Sequence, residues 1–335
     1  MRPEMSDILA ARAVLRGRAD ATPMVPSPLL SGLLGTEAFL KLEIAQPIGA
    51  FKLRGAMNAI MALPDDVAGV TCCSTGNHGR GVAYAAREHG LRAVICMSTL
   101  VPDAKVAGIR ALGAEVRIEG QSQDDAQRAC TRLCQTEGLA EIPPFDDPKV
   151  IAGQGTIGLE ILEARPDLEM LLVPLSGGGL AAGVALAAKT LSPRLRVIGI
   201  TMDRGAAMHL SLQAGHPVEV DEVPSLADSL GGGIGASNRF TLGMCRDLLD
   251  GSVLVTEEDI YRAMQALYFE DRIVAEGGSV VGIAAAMAGK LPAPAGPVAT
   301  ILTGRNLDMD LFTKIINGEA VVLGDRRIEG HRHDP

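Results

Sequence analysis

Residues 170–189 read Met-Leu-Leu-Val-Pro-Leu-Ser-Gly-Gly-Gly-Leu-Ala-Ala-Gly-Val-Ala-Leu-Ala-Ala-Lys. The apolar run 170–175 has strand length, 176–179 is a loop of small residues, and 180–189 has the make-up of a buried helix. This strand, glycine turn and helix form one βα unit, and the same rhythm recurs on both sides of it. Upstream, strands are expected at 38–43, 69–73, 92–97 and 114–118. Helices are expected at 52–63, 82–89, from Asp103 onward and at 122–137, with Ser122 as an N-cap. Downstream, strands are expected at 196–201 and 298–302, and helices at 205–214, 241–249, 257–270 and 309–317. Residues 1–20 also read as a helix, and the polar tail from Asp325 reads as loose at its end. Such alternation predicts an α/β protein of mostly parallel sheets flanked by helices.

The chain has 335 residues, too many for one compact core, so two domains are expected. The Pro- and Asp-rich stretch 142–148 reads as a crossover. It sets a smaller domain, 70–146, inside a larger one made of 1–69 and 147–335. Hydrophobic residues at 47% and charged residues at 21% suit a folded core, and with 3% aromatics and no Trp that core is aliphatic. The net charge of -9 and the lack of a basic, aromatic-studded stripe argue against nucleic acid as a partner. No apolar run reaches the ~18 residues of a membrane span. The first residues lack a signal-peptide core, so a cytoplasmic location is expected. The six cysteines (72, 73, 96, 130, 134 and 245) read as small reduced core residues. Cys130 and Cys134 stand four apart on a helix, but no His or second pair stands at zinc spacing.

Three segments have the make-up of ligand loops, two of them lying between a strand and a helix, where open α/β sheets bind ligands. Ser176-Gly177-Gly178-Gly179 lets backbone N–H groups and a helix N-terminus approach an anion, although a tight turn needs only one of those glycines. Ser74-Thr75-Gly76-Asn77-His78-Gly79 supplies neutral donors suited to a carboxylate. Gly49-Ala50-Phe51-Lys52-Leu53-Arg54-Gly55 carries Lys52 at the head of an apolar helix. Lysine supplies only seven of the 31 Lys and Arg residues, so a lysine here is not default surface decoration. A partly buried amine and a snorkelling lysine nevertheless fit the local sequence equally. Gly153-Gln154-Gly155-Thr156-Ile157-Gly158 matches a dinucleotide fingerprint, but no clear strand precedes it. It reads as a loop entering a helix.

Taken in order, segments 49–55, 74–79, 153–160 and 176–180, Ala227-Asp228, Glu276 and 303–306 resemble the fold-type II pyridoxal-phosphate enzymes, specifically the threonine/serine dehydratase and serine racemase family. The resemblance implies a tryptophan synthase β-like, two-domain fold and pyridoxal 5'-phosphate as cofactor. It implies that Lys52 holds the cofactor and moves protons, and that Phe51 flanks the cofactor ring. Asn77 then bonds the ring oxygen and Thr303 faces the ring nitrogen. Gly177, Gly178, Gly179 and Leu180 hold the phosphate. Ser74, Thr75, Gly76 and His78 surround the substrate carboxylate. The implied reaction is loss of water and then ammonia from a small hydroxy-amino acid: threonine, serine, 3-hydroxyaspartate or a hydroxyectoine-derived diamino acid. A racemase or β-replacement synthase on the same scaffold is the alternative, and a non-catalytic small-molecule sensor is the reading of another class.

The family also implies a homodimer. Its racemases place a serine base where Thr75 stands, which keeps a hydroxyl but adds a methyl. Thr201-Met202-Asp203-Arg204-Gly205-Ala206-Ala207 lacks the family's cation-binding carboxylates, so no metal is expected there. Thr303-Gly304-Arg305-Asn306 replaces the commoner S-G-G-N, and Arg305 either stays at the surface or reaches a substrate acid. No appended regulatory domain is expected.

Overall fold

The structure, a computed structural model, describes every residue except Thr75, Leu100, Pro102 and Pro335, and omits the side chain of Ala104. The chain runs through α1 (Met5–Leu15), β1 (Met24–Pro26), α2 (Pro28–Leu34), β2 (Ala38–Leu42), α3 (Lys52–Ile60), β3 (Val70–Cys73), α4 (Asn77–Glu88), β4 (Ala93–Met97), α5 (Asp103–Ala111), β5 (Glu115–Ile118), α6 (Gln123–Glu137) and β6 (Ala140–Glu141). It continues through α7 (Pro148–Ala164), β7 (Met170–Pro174), α8 (Gly179–Leu191), β8 (Arg196–Met202), α9 (Ala207–Ala214), α10 (Thr241–Leu248), β9 (Gly251–Val255), α11 (Glu257–Glu270), α12 (Val281–Met287), β10 (Val298–Leu302), α13 (Met309–Ile316), β11 (Val321–Leu323) and β12 (Arg326–Ile328).

Among the described residues the strands form a six-stranded sheet ordered β1-β2-β10-β7-β8-β9, a four-stranded sheet β5-β4-β3-β6 and a small hairpin β11-β12. The first two are parallel throughout, except that β1 runs antiparallel to β2. The large sheet is covered on both faces. Along β7, Met170 and Leu172 join a core with Ile198, Ile200, Tyr261 and Ile283, while Leu171 and Val173 join another with Ile157, Val184 and Ile301. A strand buried on both faces needs no polar alternation, hence the unbroken apolar run at 170–175.

Local sequence sets the helix starts. Ser122 Oγ accepts from the Asp125 N–H and closes a capping box, and Thr256 does the same with Asp259. Asp147 caps α7 with Pro148 in its first turn. No helix among the described residues is long and apolar enough to cross a membrane.

Several expectations are corrected. The stretch 153–158 is the middle of α7, not a loop. Its glycines are packing devices. A Cβ on Gly153 would stand 2.6 Å from the Arg54 carbonyl, one on Gly155 2.6 Å from Ile8, and one on Gly158 2.9 Å from Ala187. Bare backbone thus lets α7 lie against α3, α1 and α8 at once. Gly153→Ala is expected to cost about 1–3 kcal/mol by overpacking, read as a lower urea midpoint at unchanged slope.

The helix expected at 82–89 begins earlier, at Asn77, because Gly76 takes the N-cap place and the loop residues themselves form the first turn. The helix expected at 205–214 begins later, at Ala207, because Gly205 sits at φ +67°. The tail is held as far as His333, and Pro335 lies outside the described residues. β12 pairs with β11, Gln265 Nε2 donates to the His331 carbonyl at 2.7 Å, and the His333 ring stacks on Phe269 at 5.0 Å.

Candidate active site

The carboxyl ends of adjacent strands β10 and β7 define the site. Beyond β10 the chain pairs with residues 49–51. The Phe51 N–H donates to the Thr303 carbonyl and the Arg305 N–H to the Gly49 carbonyl, both at 2.9 Å, around an Ala50–Gly304 bridge. Gly49 makes the turn at φ +72°. This short ladder fixes Phe51 at the cap of α3 and Lys52 at its first position, facing the sheet end.

Lys52 Nζ donates to the Pro144 carbonyl at 2.7 Å and lies 5.4 Å from the Phe51 ring centre. The residue keeps some exposed surface, as a cleft would give it, but protein surrounds its amine at longer range. That burial brings the amine down to about 8, against the opposing pull of Cys72 and Glu276. A lysine so poised exchanges its proton near neutral pH.

Beyond β7, Gly178 caps α8 in the left-handed region at φ +88°. The next helical bond is from the Ala182 N–H to the Gly178 carbonyl, and among the described residues the N–H groups of Gly177, Gly178, Gly179 and Leu180 have no backbone acceptor. All four residues are buried. A buried helix start with orphan donors requires an acceptor from outside the chain, and a phosphate fits it. The glycines are also required by packing, because a Cβ on Gly177 or Gly179 would strike Phe145 at 2.3 or 2.9 Å. Phe145 follows Pro144, so the crossover residues touch both the phosphate loop and Lys52.

The third piece is the start of α4. Among the described residues the first bond into its backbone runs from the Arg80 N–H to the Gly76 carbonyl, and the N–H groups of Asn77 and His78 have no backbone acceptor there. Ser74 and Gly76 stand beside them, and Thr75 lies outside the described residues. The His78 side chain departs from expectation. Its Nε2 lies 2.7 Å from the Ile142 carbonyl and its ring is buried. Burial, with Lys52 adding repulsion, drives it down to about 3, so it is neutral. The imidazole thus holds the residue after β6 through Nε2, while its buried Nδ1 has no partner among the described residues and, with the His78 backbone, stays available to a ligand.

Glu276 is the residue whose part the sequence did not reveal. It is 3% exposed, and its carboxylate accepts from Asn77 Nδ2 at 2.9 and 3.2 Å. Asn77 Oδ1 accepts in turn from Asn306 Nδ2 at 2.7 Å. Both ends of the Asn77 amide are thus held within the protein. Gly304 makes room for this chain, since a Cβ there would stand 2.6 Å from Glu276 Oε1. Thr303 is buried at the end of β10, with its hydroxyl 3.0 Å from that of Ser279. Arg305 is exposed at the rim, its stem over Gly49.

Burial raises the Glu276 carboxyl from 4.5 to about 7, with Asp228 adding to the rise and the bond from Asn77 opposing it. The folded state thus holds a proton that the unfolded state has released, and stability falls as pH rises through that window. Relative to wild type, Glu276→Gln is expected to gain stability as pH climbs from about 4.5 through about 7. Thermal midpoints across that range check it.

A lysine at a sheet end, near a buried cradle of orphan amides, is an arrangement able to hold a phosphorylated cofactor. Residues 16–304 match the family described as pyridoxal-phosphate dependent enzymes, and the chain belongs to that family. A protein of Sinorhizobium fredii provisionally named a threonine dehydratase is 56% identical over 316 residues, covering 94% of this chain and 95% of its own. An L-threonine ammonia-lyase of Thermotoga maritima is 38% identical over 322 residues, covering 96% and 80%. Among solved structures, maize serine racemase aligns with a TM-score of 0.89 at 30% identity, covering 95% of this chain and 98% of its own. Pyridoxal phosphate is the cofactor, and the two-sheet α/β architecture is that of the fold-type II enzymes.

Proposed function

We propose that this protein eliminates the β-hydroxyl of a small hydroxy-amino acid, with L-threonine and L-serine as first candidates, giving a keto acid and ammonia. The observation that carries the reading is the bond of the Lys52 amine to the Pro144 carbonyl, next to the Phe145 that packs on Gly177 and Gly179 of the phosphate cradle. Two relatives carry threonine dehydratase or ammonia-lyase names, which supports the same class.

Bound pyridoxal phosphate supplies an electron sink for the bond that breaks at the substrate Cα. The N–H groups of Gly177–Leu180 hold the phosphate, and Phe51 borders the ring. Lys52 Nζ anchors the cofactor and, once free, takes the Cα proton; an amine brought to about 8 suits a general base near neutral pH. The Ser74 hydroxyl and the amides of Gly76, Asn77 and His78 hold the substrate carboxylate. Thr303 offers the ring nitrogen a neutral hydroxyl, and the Glu276–Asn77–Asn306 chain orients the amide that meets the ring oxygen.

Two features favour a wider substrate range. Arg305 is a free guanidinium at the rim, suited to a second acid group as in 3-hydroxyaspartate. The stretch 231–235 carries Gly232 and Gly235 at positive φ, with nothing within 4 Å of a Cβ at either. The stretch follows Asp228, which stands near Glu276, and room on that side of the site would suit a longer, hydroxylated diamino acid. The same reading includes the homodimer and the division into 1–69 plus 147–335 and 70–146. A panel of L-threonine, L-serine, 3-hydroxyaspartate and a hydroxylated diaminobutyrate, scored for ammonia and keto acid, tests it. Racemisation without keto acid, or no turnover of any of them, would overturn it.

A further inference from the structure

The side chains of Cys130, Cys134 and Glu141 present two thiols and a carboxylate whose donor atoms all lie within 4.8 Å of one another. They lie outside the cofactor site. Cys130 and Cys134, four apart, share one face of α6, and that face packs on the four-stranded sheet beside Val94, Cys96 and Leu139. Glu141 comes from the edge strand β6, opposite Thr71 in register, so the two side chains share a face. That face is turned to α6, because the Thr71 hydroxyl lies 3.5 Å from Cys130 Sγ. Gln127, one turn before Cys130, donates to Glu141 Oε1 at 2.8 Å and holds the carboxylate against the helix.

We propose that Cys130, Cys134 and Glu141 form a binding site for one thiophilic divalent cation of the zinc or cadmium kind, outside the catalytic centre. With bonds of about 2.3 Å to sulfur and about 2.0–2.2 Å to oxygen, tetrahedral ligands stand roughly 3.8 Å apart or less, so modest side-chain rotation closes the site. Cys130 is buried, Cys134 half-buried and Glu141 exposed, a gradient that gives the ion a path in from solvent and leaves water as the fourth ligand. Binding replaces two thiol S–H bonds by two metal–sulfur bonds and sends two protons to solvent. Because each thiol must shed its proton to bind, affinity rises with pH. An ion there ties α6 to β6, one residue before Ile142, whose carbonyl meets His78, and three before Pro144, whose carbonyl meets Lys52.

The test titrates the holoenzyme with cadmium and follows the ultraviolet thiolate-to-cadmium absorbance together with proton release. One equivalent per chain and two protons per ion are expected, with zinc competing. Cys134→Ser should lose the high-affinity band, and the exposed Glu141→Gln should weaken binding at least tenfold. Cys73→Ser, on the same sheet but outside the trio, should bind as wild type. Unchanged cofactor absorbance in each variant shows that the fold is intact. No band in the wild type, or an undiminished one in Cys134→Ser, overturns the proposal.

Discussion

Lys52→Ala is expected to lower turnover by roughly 10²–10⁴-fold, the range typical of a lost proton-transfer group, while the protein stays folded. Two contributions vanish together, the covalent anchor and the base at Cα. The packing cost is small, because Lys52 opens α3 and, among the described residues, its side chain makes one hydrogen bond, to Pro144. The phosphate cradle of α8 does not depend on it, so the variant should still bind the cofactor reversibly. Steady-state assays with the best substrate, beside circular dichroism, check both halves. A folded variant with wild-type turnover would remove Lys52 from the mechanism.

The largest stability effect is expected two residues further on. Arg54 is 1% exposed and donates to both oxygens of Glu43, to both of Glu160 and to the Asp20 carbonyl, at 2.6–3.0 Å. Lys41, also buried, reaches Glu160 and the Thr22 carbonyl. Burial pushes the Glu43 carboxyl up, but Arg54 more than offsets this and holds it below its ordinary value. Arg54→Met leaves Glu43, whose side chain is fully covered, without its cation. Breaking a buried pair in this way costs about 3–5 kcal/mol, measurable by urea denaturation. Arg54→Met with Glu43→Gln should recover part of that loss, since the stranded charge is gone. The Glu43 contribution is present above its ordinary value of 4.5 and fades as pH falls through its lower folded value.

This network shows where the sequence stops being legible. Glu43, Arg54 and Glu160 are 11 and 106 residues apart, and nothing local marks Arg54 as different from a surface arginine. The parallel sheets were legible because a strand covered on both faces must be apolar throughout, as at 170–175 and 298–302. Strand β9 was not, because it is an edge strand with partly exposed residues. Helix α12 was not, because six of its seven residues are buried and no period survives.

In the candidate site, the glycines and Lys52 stood out in the sequence because their chemistry is unusual for their place. The motif at 153–158 was read as a loop because three glycines in six residues disfavour a helix, yet here close helix packing requires them. Glu276 carried no local signal of its role. Only the fold brings it to Asn77, 199 residues away. His78 likewise looked like a donor until the fold gave its imidazole the Ile142 carbonyl.

The central claim is that one amine, that of Lys52, carries the cofactor. Borohydride reduction of the purified holoprotein, followed by proteolysis and mass spectrometry, tests it most directly. The account predicts a single phosphopyridoxyl adduct on the peptide containing Lys52. An adduct confined to another lysine, such as Lys41 or Lys149, would contradict it.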